Sequence, residues 1–469
     1  MKPNQINRNA LNSFRQVFKG SLIGPSDSRY DRVRRVWNSL IDRRPALIAQ
    51  CTNTADVASA LQFARENDLP VAVRGGAHHV AGYGVCDDGL VIDMSPMHEV
   101  QVDPENRTVR VGAGARWAEV DEATQRFGLA TPGGEVSETG IAGLTLGGGV
   151  GYLRRKYGLS CDNLLSVELV SAEGRLINAS ETENTDLFWA LRGGGGNFGI
   201  VTEFEYRLHP VGPDVNTLNP IYPIGEARQA LRLWREFTAK APEEATTAFA
   251  IWGVPAHSDI PENLHGTNVC LFDGMHIGPS DVADADFRPL RQMDGKLLDL
   301  SDRVPYVEAQ RSFDEFFPEN GLYYWKALFL DELSNEAIEE IVSRAEKRPN
   351  PSILVIIRHL GGAIDRVGRN ETAYRHRGAQ FMLSIDGAWK DPAESERNIA
   401  WIRNFWEEMQ PYSNGGVYLN FSGFGEGDSD LWQASHGANY ARLAKVKHIY
   451  DPTNIFRINQ NIRPAEATV

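Results

Sequence analysis

The chain of 469 residues contains little cysteine, and its four cysteines form no pattern. Cys51, Cys86, Cys161 and Cys270 lie far apart and include no CxxC pair. This spacing favours neither a disulfide framework nor a zinc site. HExxH, Walker A and GxSxG sequences are also absent. The sequence therefore predicts no metal site, and it argues against phosphoryl transfer by a P-loop and against serine hydrolysis.

Basic residues and long apolar runs are also scarce. The chain has 48 Lys and Arg against 62 Asp and Glu, a net charge of −14, which argues against a nucleic-acid partner because phosphate binding needs a basic surface. No apolar run is long enough to span a membrane, and residues 1–19 lack the apolar core of a secretion signal. We predict a cytoplasmic protein without a membrane partner, and its oligomeric state is left open.

Glycine, by contrast, is abundant, and the first glycine-rich stretch is residues 74–82. It follows the apolar run 69–73, which is typical of a buried strand. Gly75 and Gly76 let the backbone turn sharply and expose N–H groups that can bind phosphate oxygens. Arg74 adds a positive charge, and the imidazole of His78 is a nucleophile near neutral pH. The loop is therefore a candidate cofactor-binding segment.

Two further glycine-rich stretches occupy residues 131–151 and 187–201. The first favours a backbone that passes close to a flat ligand. In the second, Gly194, Gly196 and Gly199 match GxGxxG, the fingerprint of a Rossmann dinucleotide site. That site needs a strand before the glycines and a helix after them. Here the preceding residues look helical and residues 200–209 look like a strand, so we reject a Rossmann site.

After about Val211 the glycine density falls and strands alternate with helices. The predicted strands there are 246–252, 267–272, 323–330, 353–360 and 380–388. Predicted helices include 226–240, one capped by Ser334, and one with Asp391 as N-cap, Pro392 at N1 and Glu394 at N3. This alternation indicates an α+β unit built on a mostly antiparallel sheet.

The three glycine-rich stretches, the run 155–165 and the segments 415–421 and 450–461 together resemble the FAD-linked oxidases related to berberine bridge enzyme, in the vanillyl-alcohol oxidase group. The resemblance spans nearly the whole chain. It implies an α+β fold with a PCMH-type FAD-binding domain and a substrate domain whose antiparallel sheet is flanked by helices. The implied division is 1–210 for the FAD domain, 211–412 for the substrate domain and 413–469 for a segment returning to the FAD domain.

The same resemblance implies covalently bound FAD. By motif position His78 is attached to the flavin 8α-methyl group, with His79 as its neighbour, and Cys161 forms a second link at C6, making a doubly attached flavin. The other residues expected at the cofactor are Arg74, Gly75, Gly76, Ala77, Gly82, Gly134, Ser137, Thr139, Gly140, Gly143, Leu144, Thr145, Gly147, Gly148, Gly149, Gly151, Asn163, Gly196, Asn197, Phe198, Gly199, Val201, Tyr418, Asn420 and Asn459. Thr139, Leu144 and Thr145 are further expected to control the access of O2.

The implied activity is an oxidase that transfers a hydride from an alcohol, a hemiacetal or a natural-product substrate to flavin, which O2 reoxidises to give H2O2. The identity of the catalytic base is not fixed. In many relatives the base is a second Tyr, but this chain has Phe421 at that position, which cannot accept a proton. The candidates favoured for catalysis are Tyr324, Lys326, Tyr418 and Glu138. Tyr323, His359 and Asp386 are weaker candidates, since a buried histidine is more often structural and Asp386 could be solvated.

Two alternatives stay open. A flavin dehydrogenase would use another electron acceptor in place of O2, and a degenerate flavin-binding protein would have lost catalysis together with the second Tyr. Aromatic residues in the substrate domain would suit either sugar stacking or a polyketide ring, so the substrate is not fixed by the sequence.

Overall fold

The structure is a computed structural model, and it describes residues 6–425 and 429–466. In its N-terminal part the strands are β1 (Ser21–Ile23), β2 (Leu47–Gln50), β3 (Val71–Arg74), β4 (Leu90–Asp93), β5 (Val100–Asp103), β6 (Thr108–Gly112), β7 (Leu129–Ala130), β8 (Leu164–Val170), β9 (Leu176–Ser180), β10 (Ile200–Arg207) and β11 (His209–Pro210). The helices are α1 (Arg8–Val17), α2 (Tyr30–Val33), α3 (Thr54–Glu66), α4 (Trp117–Gln125), α5 (Ile141–Leu146), α6 (Arg154–Tyr157) and α7 (Thr185–Leu191).

Two sheets carry the glycine-rich segments. The first has the strand order β1-β2-β4-β3, in which β4 pairs parallel with both β2 and β3. The second is antiparallel, in the order β5-β6-β10-β8-β9. Asn53 caps α3 by accepting a hydrogen bond from the backbone of Asp56, and Val57, Leu61 and other apolar residues bury one face of this helix. The β2-α3-β3 unit thus leads directly into the loop after Arg74.

The second half of the chain continues with β12 (Asp214–Leu218), β13 (Pro220–Pro223), β14 (Ala245–Gly253), β15 (Asn268–His276), β16 (Leu298–Asp299), β17 (Arg303–Pro305), β18 (Leu322–Leu330), β19 (Leu354–His359) and β20 (Phe381–Trp389). Its helices are α8 (Ala227–Thr238), α9 (Ser280–Arg291), α10 (Tyr306–Gln310), α11 (Asn335–Glu346), α12 (Ala363–Arg366), α13 (Ser395–Glu408), α14 (Ser429–His436) and α15 (Tyr440–Tyr450).

All nine of these strands join one large antiparallel sheet, in which seven follow the order β16-β13-β15-β14-β19-β20-β18, β12 pairs with β15, and β17 pairs with β12. One face packs on α8, α11 and α13 through residues such as Leu231, Ile341 and Phe405. The other face is turned toward the N-terminal part, where Trp325 and Leu354 share a cluster with Trp37. Both faces are therefore buried, and every residue of β18 is buried.

The C-terminal segment packs back on the N-terminal core. Leu443 and Val446 of α15 belong to the same apolar cluster as Leu187 and Phe198. The ammonium of Lys447, which is fully buried, donates hydrogen bonds to the carbonyl of Asn197 at 2.7 Å and to the carboxylate of Asp451 at 2.7 Å. These contacts hold residues 456–460 beside the glycine-rich segments.

The predicted strands and helices agree with the structure within a few residues. An antiparallel sheet flanked by helices was expected, and Ser334 caps α11 as predicted. One detail is wrong: Asp391 does not begin the long helix. Its side chain accepts from the backbone of Ala393 in a 3-10 turn over 392–394, and α13 begins only at Ser395. No helix in the described ranges is both long and apolar enough to cross a membrane.

Candidate active site

A large cavity lies between the glycine-rich loops and the inner face of the large sheet. The empty space between these walls is about 1620 Å³, a volume that includes the solvent at its open mouth. The loops after β3 and around α5 line one part, and side chains from β18, β19 and β20 line the other. One cavity is therefore lined both by the glycine-rich loops and by the sheet, so a ligand on the loops would lie next to a ligand on the sheet.

The loop after β3 is braced by its own arginine. The buried guanidinium of Arg74 donates to the carbonyl of Gly84 at 3.1 Å and to that of Arg34 at 3.3 Å. It also lies 4.0 Å from the carboxylate of Asp93. Ala77 adopts φ +57°, an unfavourable conformation for a residue other than glycine. Such strain concentrates at functional sites.

His78 projects from this loop into the cavity wall. Its ring stacks on Trp37 at 4.2 Å, and Trp37 in turn stacks on Tyr323 at 3.8 Å. Nε2 of His78 is buried and has no hydrogen-bond partner within the described ranges. Burial lowers the pKa of His78 to about 3, so the imidazole is neutral. A neutral, clamped imidazole with an unsatisfied nitrogen is suited to nucleophilic attack on a bound cofactor.

In His79, the neighbouring histidine, both ring nitrogens have hydrogen-bond partners. Its Nδ1 accepts a hydrogen bond from the backbone of Ala81, and its Nε2 lies 2.9 Å from the side-chain amide of Gln460. Burial lowers its pKa to about 4. His79 thus ties the loop to the C-terminal segment, while His78 faces the cavity.

The glycines of the loops shape a cradle for a flat ligand. A Cβ at Gly76 would lie 2.4 Å from the backbone nitrogen of Gly140, so these two loops approach too closely for any side chain. A Cβ at Gly143 or at Gly196 would meet nothing within 4 Å, although both residues line the cavity. The space beside them fits the face of a cofactor.

Tyr418 closes one wall of the cavity. Its hydroxyl oxygen accepts hydrogen bonds from the backbone N–H of Gly149 and Val150 and from the amide of Asn420, at 3.1–3.2 Å. Burial raises the pKa of Tyr418 to about 12. The three donors favour the phenolate whereas burial opposes it, so the hydroxyl supports the loop, and the role of Tyr418 as a catalytic base stays a prediction.

The sheet supplies the other end of the cavity. The register places Asp386 between Trp325 of β18 and Leu354 of β19, and all three side chains line the cavity. Phe313, Phe317 and Phe421 add aromatic walls. Nε1 of Trp325 is buried without a hydrogen-bond partner within the described ranges. Burial raises the pKa of Asp386 to about 6, which is a suitable value for a general base.

A chain of charged groups adjoins Asp386. Ser384 donates to the Asp386 carboxylate at 2.8 Å, and Arg358 donates to Ser384 at 2.8 Å. Arg358 also donates to Glu135 at 2.7 Å, and Arg154 donates to the other oxygen of Glu135 at 3.0 Å. Glu135, Arg358 and Asp386 line the cavity.

Three expected catalytic residues lie outside the cavity. Tyr324 and Lys326 are on the helix-covered face of the sheet, where the Tyr324 hydroxyl accepts from Arg403 and the Lys326 ammonium lies 3.7 Å above the Trp406 ring. Glu138 is exposed and ion-paired with Arg116 at 3.3 Å. The expectation that these residues reach the substrate is therefore corrected. His359 likewise packs on the helix-covered face, where its ring is 6.3 Å from that of Trp234.

Cys161 also lies outside the cavity. It is fully buried in a cluster with Val150, Leu159, Tyr374 and Tyr418, and its backbone nitrogen donates to the carbonyl of Gly148. Burial raises the pKa of its thiol well above the usual value, so little reactive thiolate forms. The geometry therefore does not support the expected second link to the cofactor.

The remaining cofactor candidates divide into two groups. Those that line the cavity are Arg74, Gly75, Gly76, Ala77, His78, His79, Gly134, Thr139, Gly140, Gly143, Leu144, Gly147, Gly196, Tyr418, Asn420 and Asn459. Those behind its wall are Gly82, Ser137, Thr145, Gly148, Gly149, Gly151, Asn163, Asn197, Phe198, Gly199 and Val201. The second group supports the loops: the hydroxyl of Thr145, for example, is 2.8 Å from that of Tyr206.

Sequence reasoning missed Glu135, Arg358 and the aromatic residues Phe313 and Phe317 at the cavity. Asp386 was only a weaker candidate for the catalytic base. One signal was available: Asp386 and Arg358 are charged residues inside otherwise apolar strands, and buried charges in such strands favour a functional role. Nothing in the sequence distinguished Glu135 from Glu138 within the same glycine-rich stretch.

The cavity and its loops define an FAD-dependent oxidoreductase. A sequence profile described as an FAD binding domain matches residues 45–180, and one described as berberine and berberine like matches residues 417–463. The chain is 40% identical over 473 residues to the FAD-linked oxidoreductase pgmH of Aspergillus terreus, covering 95% of this chain and 94% of that protein. The chain belongs to the berberine-bridge-enzyme-like family of FAD-linked oxidoreductases and has the PCMH-type FAD-binding fold.

Two other relatives are named as oxidases. The crystal structure of 6-hydroxy-D-nicotine oxidase from Arthrobacter nicotinovorans superposes with a TM-score of 0.85 at 28% identity, covering 96% of this chain and 98% of that one. The carbohydrate oxidase of Microdochium nivale is 26% identical over 469 residues, covering 94% of this chain and 92% of that protein. Their names refer to different small molecules, so these relatives support an oxidase without identifying its substrate.

Proposed function

We propose that this protein is an FAD-dependent oxidase that removes a hydride and a proton from a hydroxyl-bearing small molecule. The observation that carries the proposal is a buried carboxyl group, Asp386, in the same cavity as the loop histidine His78. FAD, when bound, accepts the hydride from the substrate carbon and passes two electrons to O2, giving H2O2. The proposal assigns the hydroxyl proton to Asp386.

His78 is proposed as the covalent attachment point of FAD. The support is its neutral ring, its clamped position on Trp37 and its buried nitrogen without a partner. Cys161 is not proposed as a second attachment point, because its thiol packs outside the cavity. The flavin would then be attached through His78 alone.

The substrate end of the cavity favours a planar, largely apolar hydroxylated molecule. Its walls include Phe313, Phe317, Trp325 and Phe421. A sugar needs many hydrogen-bonding side chains, whereas Glu135 and Arg358 here are already paired with each other. Such aromatic walls would stack on or surround a ring system and exclude water from it.

We also propose the domain division 1–210, 211–412 and 413–469. Under this division the cavity lies where the FAD domain meets the inner face of the substrate-domain sheet. The contacts of α15 with the N-terminal core support assigning the last segment to the FAD domain.

Acid precipitation of the purified protein tests the attachment. We expect yellow colour to stay with the polypeptide in the unmodified chain and in Cys161→Ala, and to leave with the supernatant in His78→Ala. Colour lost from the pellet of Cys161→Ala, or retained in His78→Ala, would contradict single attachment at His78.

Oxygen uptake tests the activity. Hydroxylated aromatic compounds and oligosaccharides are offered in parallel, with H2O2 measured in the same vessel. With members of the aromatic panel, we expect the flavin to bleach when O2 is absent. When O2 is present, we expect one H2O2 for each O2 consumed. Bleaching without H2O2 would indicate a dehydrogenase, and no bleaching with either panel would indicate a flavin-binding protein without this activity.

A further inference from the structure

Asp386 is connected to a second carboxylate through two intermediate side chains. Ser384 donates to Asp386 and receives a hydrogen bond from Arg358, each at 2.8 Å. Arg358 lies 3.7 Å from Asp386 itself and donates to Glu135 at 2.7 Å. The guanidinium of Arg358 thus stands between the two carboxylates.

Both oxygens of Glu135 are bound by arginines. Arg154 holds one at 3.0 Å and Arg358 holds the other at 2.7 Å. The side chains of Arg154 and Arg358 are at most 6% exposed, and that of Glu135 is 11% exposed. Charges are weakly screened in such an environment, so each affects the protonation of its neighbours. With both oxygens engaged, Glu135 is poorly placed to accept a proton from a substrate.

We infer that Glu135 is a positioning residue which, by pairing with Arg358, fixes and partly neutralises the guanidinium beside Asp386 and so keeps Asp386 able to accept a proton. The inference rests on the proposed role of Asp386 as base. Without Glu135 the unpaired positive charge of Arg358 would stabilise the Asp386 carboxylate and weaken it as a base.

The charged groups around Asp386 are few. Arg358 faces it from β19 and Glu135 from the loop after Gly134, while the neighbouring residue on β18 is Trp325, which does not titrate. Further away, Asp273 accepts a hydrogen bond from Tyr152 at 3.1 Å. Burial is the largest cause of the raised pKa of Asp386, Arg358 acts against it and Glu135 adds to it.

The test compares the pH dependence of flavin reduction, measured without O2, in two variants with opposite expected shifts. Glu135→Gln removes the negative charge, so the pKa of Asp386 should fall and the acidic limb should move to lower pH by about one unit. Arg358→Gln removes the positive charge, so the limb should move to higher pH. Glu135→Asp keeps the charge and should return the limb toward its original position.

A purely structural role for Glu135 predicts a different result. Loss of packing or order would lower the rate in both variants without moving the limbs in opposite directions, and that outcome would overturn the inference. If Glu135→Gln does not fold alone, the double variant Glu135→Gln/Arg358→Gln replaces it: its acidic limb should lie at lower pH than that of Arg358→Gln, and equal limbs for these two variants would overturn the inference.

A second measurement separates this inference from the proposed function. Difference infrared spectra recorded against pH, with Asp386→Asn as the reference, follow protonation of the Asp386 carboxyl directly. A lower midpoint in Glu135→Gln supports the positioning role even if Asp386→Asn keeps full activity, in which case only the base assignment fails. An unchanged midpoint overturns the positioning role, whatever the activity.

Discussion

At the scale of single residues, Asp386 gives the clearest pH prediction. A raised folded-state pKa means that the carboxyl is protonated, and unable to accept a proton, below about pH 6. We therefore expect the rate of flavin reduction to rise with pH through about 6 and then level off. Asp386→Asn should lose this dependence and reduce the rate roughly 10²- to 10⁴-fold, the usual contribution of a positioned base.

Stopped-flow bleaching of the flavin without O2 measures this rate separately from reoxidation. The flavin content of Asp386→Asn serves as the control, since the amide is isosteric and should not disturb cofactor binding. A variant with normal flavin, a normal reduction rate and an unchanged pH profile would contradict the assignment.

Trp325 permits a second prediction at the same scale. Its indole N–H has no hydrogen-bond partner within the described ranges, while its ring packs edge-on against Phe317 and Phe421. Trp325→Phe removes the N–H and keeps an aromatic ring. If the N–H binds the substrate, KM should increase about 5- to 10-fold with little change in kcat, as for one lost hydrogen bond.

The matched control is Trp252→Phe, because Trp252 does not line the cavity and its N–H donates to the carbonyl of Ser352. Steady-state kinetics on both variants decide the question. Equal KM values for the two variants would mean that the N–H of Trp325 does not bind substrate.

The site could be predicted from sequence only where a residue belonged to a motif. His78 and the glycines around it follow a recognisable pattern, and the structure brings them to one cavity wall. Glu135 and Glu138 are three residues apart in an irregular loop, which has no periodicity to indicate orientation. Ser137 between them is fixed by Asp314, a residue far along the chain. Only the tertiary contact decides which carboxylate is buried.

At the scale of secondary-structure elements, the face of β18 was the main error. The alternation of Tyr324, Lys326 and Leu328 on one face was predicted correctly, but that face packs on helices rather than on the cavity. Hydrophobic alternation identifies a buried face only when the other face is polar. Every residue of β18 is buried, so the sequence carried no such contrast.

The close approach of two loops gives a prediction at this scale. Gly76→Ala would place a Cβ 2.4 Å from the backbone nitrogen of Gly140, and a backbone atom cannot rotate away as the end of a flexible side chain can. Gly143→Ala, within α5, would place its methyl group in open cavity space. We expect Gly76→Ala to lower both thermal stability and flavin content.

Gly143→Ala is the matched control, and it should behave differently. Alanine favours a helix by about 0.5–1 kcal/mol over glycine, so the flavin-free chain should be no less stable, while the methyl group should reduce flavin content. Melting temperature and the ratio of flavin to protein absorbance measure the two effects. Equal melting temperatures for the two variants would contradict the steric argument at Gly76.

At the scale of the whole molecule, resemblance predicted more than local pattern did. The ordered series of glycine-rich stretches and C-terminal segments identified the family and the mixed α and β architecture. Local propensity located most strands, yet it said nothing about which sheet a strand would join. The pairing of β14 with β19 joins residues about a hundred positions apart in the chain, and such contacts leave no short-range signal.

The last prediction concerns the attachment of the C-terminal segment. Lys447 and Asp451 form an ion pair in which both side chains are fully buried, and Asp451 also accepts from the backbone of Ile455 and Phe456. Lys447→Met would leave the Asp451 charge buried without its partner, at a cost of about 3–5 kcal/mol. Asn459 and Gln460, which follow in this segment, line the cavity, so flavin content should fall together with the melting temperature.

The matched control is Arg442→Gln, also in α15. It breaks the exposed ion pair between Arg442 and Asp186, and a loss of only about 0–1 kcal/mol is expected. If both variants melted at the same temperature with the same flavin content, the buried pair would not be what holds the C-terminal segment at the cofactor site.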